Sequence, residues 1–132
     1  MPDRRTVLVI DDEAPIRRVI ELKLRNAGYD VLLAADGAEG LHLIRTRRPD
    51  VVITDLTMPG LSGRELCEQS DRLKDERPFL TIVISGSDEA EREWAHALRD
   101  TRVTRKPFHP TALRDLVDQY FAEPHTADPA GP

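Results

Sequence analysis

A single cysteine, Cys67, in 132 residues excludes an internal disulfide. The fold has to hold by packing, and Cys67 itself reads as a small buried residue rather than a redox centre. Long apolar runs are missing too. The longest are four or five residues, such as "VLVI" and "VLLAA", against the ~20 that a membrane-spanning helix needs. "MPDRR" has the positive start of a secretory leader, but Asp11, Asp12 and Glu13 cut into the apolar segment that should follow. A cytoplasmic location without membrane contact is expected. Basic excess is also absent: 19 Lys and Arg stand against 24 Asp and Glu, a net charge of -5, which removes the usual support for nucleic-acid binding. The four histidines, His42, His96, His109 and His125, show no metal-ligand spacing and read as surface or core residues.

What is present suits one compact domain, with 39% hydrophobic and 33% charged residues. Short β-branched runs alternate with segments of helical period. "TVLVI" (6 to 10), "DVLLA" (30 to 34), "VVIT" (51 to 54), "LTIVIS" (80 to 85) and "RVTR" (102 to 105) read as strands, and those apolar on both faces fit a sheet covered by helices on each side. Ile16, Val19, Ile20 and Leu24 form one helical stripe, while Leu113, Leu116, Val117, Tyr120 and Phe121 form another. Pro15 and Pro110 suit first helical turns, and Gly28 suits a helix stop. Further helices are expected at about 37 to 48, 63 to 75 and 88 to 99, with "DRLKDERP" (71 to 78) as a solvated helix end. This is an α/β pattern of (βα)5 type, a doubly wound five-stranded parallel sheet. Residues 1–121 make the domain, and 122–132, rich in Pro and small polar residues, make a disordered tail.

Ligands of doubly wound sheets bind at the carboxyl ends of the strands. Those ends carry Asp11 and Asp12, then Asp55, Ser85 and Lys106. Two carboxylates ~4 Å apart repel by ~4 kcal/mol at an effective dielectric near 20, so the cluster needs counter-charge. Lys106 supplies one positive charge and a divalent cation would supply two. Hard oxygen ligands with room for water favour Mg²⁺, whose open positions invite a phosphoryl group. Singly, each residue has an ordinary reading. Asp11 and Asp12 could cap a helix, although Pro15 at the first helical position would put the cap on Ala14. Asp55 could simply end a strand before the Pro59-Gly60 turn.

"VLVIDDE", "VVITDLTMPGLSG", "VISG" and "RKPF", in this order, resemble the receiver domain of two-component response regulators over residues 6 to about 121. The resemblance implies strand order 2-1-3-4-5, the flavodoxin-like receiver fold. It also implies that Asp55 accepts a phosphoryl group from a sensor histidine kinase or histidine phosphotransfer protein. Asp12, Asp55 and the Thr57 carbonyl would ligate Mg²⁺ with Asp11 beside them. Ser85 and Lys106 would contact the phosphoryl oxygens, with backbone contacts from Thr57 and Gly86, whose small size leaves room. A cis Lys106-Pro107 bond is a further expectation, as is a switch that passes the signal to an effector protein; a homodimer is left open. Receivers commonly carry an aromatic residue where this chain has Val103, so the response is expected in the loop 85 to 90 and around Trp94 rather than in the fifth strand.

Rival readings are tested by the same residues. A haloacid-dehalogenase-like phosphatase wants an acid where Thr57 stands, and an FMN-binding flavodoxin wants a hydroxyl-rich phosphate loop where Asp11, Asp12 and Glu13 would repel phosphate. A receiver fold retained only for protein binding, or a receiver cut from a longer regulator or hybrid kinase, remain as alternatives to a stand-alone phosphoacceptor, which is not expected to be an enzyme in its own right.

Overall fold

The computed structural model describes residues 5–58, 60–86 and 89–123, with backbone alone for residues 89 to 91. Five strands, β1 (Thr6–Ile10), β2 (Asp30–Ala34), β3 (Val51–Asp55), β4 (Leu80–Ser85) and β5 (Thr101–Arg105), alternate with α1 (Ala14–Asn26), α2 (Gly37–Arg47), α3 (Gly63–Ser70), α4 (Glu89–His96) and α5 (Pro110–Ala122). A five-residue 3-10 turn, Asp71–Asp75, follows α3. The strands form one parallel sheet in the order β2-β1-β3-β4-β5.

Position in the sheet follows from side-chain pattern. β3 and β4 are buried at every residue, because helices cover both faces of the inner strands. The edge strand β5 is less covered, with Thr101 buried, Val103 and Thr104 half-buried, and Arg102 and Arg105 in solvent. Alternate strand residues feed two cores. Val7, Val9, Ile53, Ile82 and Ile84 meet Ile20, Leu24, Leu113 and Val117 on the α1/α5 face. Leu8, Ile10, Val52 and Val83 meet Leu41, Ile44, Leu66 and Cys67 on the opposite face.

Local signals set the helix ends. Asp36 accepts the Glu39 N–H at 2.8 Å to start α2, and Ser62 with Glu65 forms a reciprocal capping box at α3. Gly28, at φ 98°, follows α1 in the left-handed region that glycine tolerates best.

Four expectations are corrected. Val19 is not part of the buried stripe of α1; it is 48% exposed, because Ile20 and Leu24 take the line facing the sheet. The cap of α1 is Glu13, one residue before the position inferred from Pro15, with no side-chain bond. The segment expected as one helix from 63 to 75 breaks after Ser70 into the tighter turn. Within that turn Lys74 is buried, not solvated: its ammonium donates to the carbonyls of Arg99 and Asp100 and stands 4.9 Å from the Phe79 ring centroid. A tertiary anchor has overridden the local preference of a charge-rich stretch. The proposed tail is described only at Ala122, the last residue of α5, and Glu123; residues 124–132 lie outside the described residues.

Candidate functional site

Parallel pairing brings the carboxyl ends of β1, β3 and β4 side by side. The register Ile10↔Thr54 and Asp55↔Ile84 leaves Asp11 just past β1 and makes Asp55 the last residue of β3. The carboxylates of Asp11, Asp12 and Asp55 then offer oxygens that all lie within 4.8 Å of one another. Asp11 and Asp55 are buried, whereas Asp12 is exposed and opens the cluster to solvent.

Each carboxylate is held differently. Asp11 Oδ1 accepts the Glu13 N–H at 2.8 Å, and its backbone carbonyl accepts from Arg17 Nη1 at 2.6 Å. Asp55 Oδ1 accepts the Thr57 N–H at 3.2 Å, and Oδ2 receives the Lys106 ammonium at 3.0 Å. Burial pushes the Asp11 carboxyl above its ordinary pKa; the bond from Glu13 N–H works against this, and the nearby negative charges of Asp55, Asp12 and Glu13 add to it. Lys106 is also raised, chiefly by its hydrogen bond to Asp55. Lys106 sits beyond the end of the edge strand, and its own N–H donates to the Ser85 carbonyl at 2.8 Å, which ties its position to the end of β4. The Lys106-Pro107 peptide is cis, as expected.

Ser85 is buried at the end of β4 and Gly86 is exposed, with open space where a Cβ would stand. Thr57 is exposed beside Asp55. All seven residues singled out from the sequence therefore line one end of the sheet. Val103, by contrast, is half-buried within β5, opposite Val83. Residues 87 and 88 of the loop expected to respond lie outside the described residues.

Gly63 is the supporting residue that pattern reading passed over. Its N–H donates to the Leu56 carbonyl at 3.1 Å. A Cβ here would overlap the Asp55 carbonyl oxygen and stand 2.8 Å from Leu56 Cα, so the first turn of α3 seats directly on the backbone that carries Asp55. The capping-box spacing of Ser62 and Glu65 marks the helix start, but nothing local in the sequence marks the close approach.

The donor set suits Mg²⁺. Its oxygens are hard, two carboxylates are crowded in a buried corner that a cation would relieve, and exposed Asp12 leaves room for water. A carboxylate paired with an ammonium beside such a cluster is an arrangement for neutralising an incoming phosphoryl group.

The family model described as "Response regulator receiver domain" matches residues 7–118. The chain belongs to the response regulator receiver domain family. Solved relatives agree with this receiver's topology. The Vibrio cholerae chemotaxis protein CheY4 is 28% identical, covering 89% of this chain and 98% of its own, with a TM-score of 0.80. The Francisella response regulator 1452 receiver domain is 31% identical over 89% of this chain and 97% of its own, with a TM-score of 0.77. Among curated proteins, the "Probable transcriptional regulator ycf27" of Porphyridium aerugineum is 39% identical over 115 residues, 86% of this chain and 47% of that protein. Its namesake in Guillardia theta is 38% identical over 86% of this chain and 44% of its own length. The receiver thus spans less than half the length of the curated relatives it matches. Among the described residues no helix is long and apolar enough to cross a membrane.

Proposed function

We propose that this receiver takes a phosphoryl group onto Asp55 from the phosphohistidine of a sensor histidine kinase or a histidine phosphotransfer protein in the cytoplasm. Its altered surface then signals to an effector protein. The observation that carries the reading is the state of Asp55: a buried carboxylate ending the central strand, bonded to Lys106 and crowded by Asp11 and Asp12.

In the transfer, a carboxylate oxygen of Asp55 attacks phosphorus. The new O–P bond forms as the P–N bond to the donor imidazole breaks, and that nitrogen keeps the electron pair and takes a proton. Thr57 N–H, bonded to Asp55 Oδ1, orients the carboxylate. The Lys106 ammonium, 42% exposed in its side chain, is free enough to follow charge from the carboxylate onto a phosphoryl oxygen. The Ser85 hydroxyl and the backbone N–H groups of Thr57 and Gly86 would serve the remaining oxygens. Mg²⁺, held by Asp11, Asp12, Asp55 and the Thr57 carbonyl, would supply the charge neutralisation that positioning alone cannot. The same groups would assist hydrolysis of the acyl phosphate, so the receiver contributes to its own resetting without being an enzyme for another substrate. The unit that does this is residues 1–121, with the output lying in contacts made by that unit or in segments attached to it; the longer relatives it matches are named probable transcriptional regulators.

The test is labelling by a small acyl phosphate with and without Mg²⁺. One acid- and base-labile phosphoryl group per chain is expected, dependent on Mg²⁺ and absent in Asp55→Asn. Equal labelling of Asp55→Asn overturns the assignment.

A further inference from the structure

Beyond the acceptor site, α4 is fastened to α3 by a cluster of three side chains. Trp94 of α4 is half-buried against the second core, and its indole N–H donates to Glu68 Oε2 at 2.8 Å. The Arg64 guanidinium carbon stands 4.8 Å from the Trp94 ring centroid, and Arg64 Nε is 3.7 Å from that same Glu68 oxygen. Arg64 and Glu68 are one helical turn apart on α3, so both project toward α4. Each contact is partly in solvent and weak alone, but every member touches the other two. The cluster is also close to the acceptor through the chain. Arg64 follows Gly63, whose missing side chain lets α3 rest on the Asp55-Leu56 backbone.

The two helices are therefore tied to the acceptor by different routes. α3 is seated on Leu56, whereas α4 begins at Glu89, three residues beyond the exposed Gly86 that follows Ser85. A phosphoryl group on Asp55 replaces the single carboxylate charge with about two and places three acceptor oxygens beside Ser85 and Gly86. Donors drawn from that end of β4 would displace the entry to α4, while α3 keeps its seat.

We propose that Trp94, Arg64 and Glu68 form a latch that holds α4 against α3 while Asp55 is unmodified and opens when Asp55 carries a phosphoryl group. This rests on the phosphoacceptor reading of Asp55. A latch that favours the unmodified arrangement lowers the apparent affinity for anything that requires the other arrangement, by the fraction of chains already open. Glu68→Ala and Arg64→Met each remove one member at an exposed position, and Trp94→Phe removes the indole N–H while keeping an aromatic ring against the core.

The experiment is titration of the full chain and these variants with beryllofluoride in Mg²⁺, read by fluorine NMR or calorimetry, together with hydrogen exchange of residues 92 to 97 and thermal melts that confirm folding. The variants are expected to bind the mimic about three- to tenfold more tightly than the parent, the range set by one or two weak surface contacts. Their α4 amides should exchange faster without the mimic. Parent binding with unchanged affinity in all folded variants overturns the latch alone and leaves the cluster a packing contact. A parent that neither binds the mimic nor accepts a phosphoryl group overturns the acceptor reading, and the latch with it.

Discussion

Lys106 and Asp55 are 51 positions apart in the chain, yet the ammonium, reaching across the end of β4 from beyond the edge strand, lies 3.0 Å from the carboxylate that ends the central one. The ammonium and a cation in the acidic cluster would both draw on the Asp55 carboxylate. Lys106→Met should therefore tighten Mg²⁺ binding, about three- to tenfold for a half-exposed charge, while weakening the binding of beryllofluoride. Melting temperature followed against Mg²⁺ concentration reads the first effect; an unchanged Mg²⁺ midpoint would show that the ammonium and the metal do not share Asp55. Because the pairing raises Lys106 above its ordinary 10.5, its stabilisation is complete below pH 10.5 and fades only as pH climbs through the raised value.

Asp11 carries the strain of the cluster. Its carboxyl is buried and held above the usual range, so in the metal-free protein its charged form at neutral pH opposes folding. Asp11→Asn should raise the metal-free melting temperature by roughly 2–5 °C, as expected for about 1 kcal/mol in a domain of this size, and should reduce the gain on adding Mg²⁺. A melting point that falls would mean that the carboxylate serves the fold through Glu13 N–H more than repulsion harms it.

Lys74 gives an alkaline signature of opposite sign to that of Lys106. Burial lowers its pKa to about 8 from 10.5, so between those values the unfolded chain binds the extra proton. Stability should rise as pH goes from about 8 toward 10, and Lys74→Met should abolish that rise. Urea midpoints across this range test it, and a parent curve that is flat or falling refutes it.

Gly63→Ala should destabilise the domain by about 1–3 kcal/mol, because the added methyl has only backbone to displace. Labelling of Asp55 should fall in the variant even when it is fully folded. A folded variant that labels at the parent rate would show that the seating of α3 does not position the acceptor.

Strand identity was legible because strand side chains here are governed by burial on both faces: "VLVI", "VVIT" and "LTIVIS" lie within one residue of β1, β3 and β4. The site was legible because topology alone brings strand ends together, which gathered Asp11, Asp12, Asp55 and Lys106 without any linear motif. Features decided by long-range contact were not. Nothing around Lys74 announces that its ammonium will meet the carbonyls of Arg99 and Asp100, and that contact converts an expected solvated helix end into a buried turn. Val19 shares the helical period of Ile20 and Leu24, but period cannot say how wide a stripe the sheet will cover. The seating of Gly63 on Asp55 is a relation between two backbones and leaves no side-chain pattern to read.

The attachments of β5 restrict how it can move. At its entry Asp100 accepts Thr81 N–H and, with Arg99, the buried Lys74 ammonium; at its exit Lys106 N–H is bound to Ser85. Sliding by one residue would break both anchorages together and would turn Val103 to the other face of the sheet. At its middle the β-branched Val103, opposite Val83, adds a side chain that is itself stiff at χ1. Because the exit clamp is the Ser85 carbonyl, any displacement at that end of β4 would carry Lys106 with it, as a coupling rod carries the wheel it is pinned to.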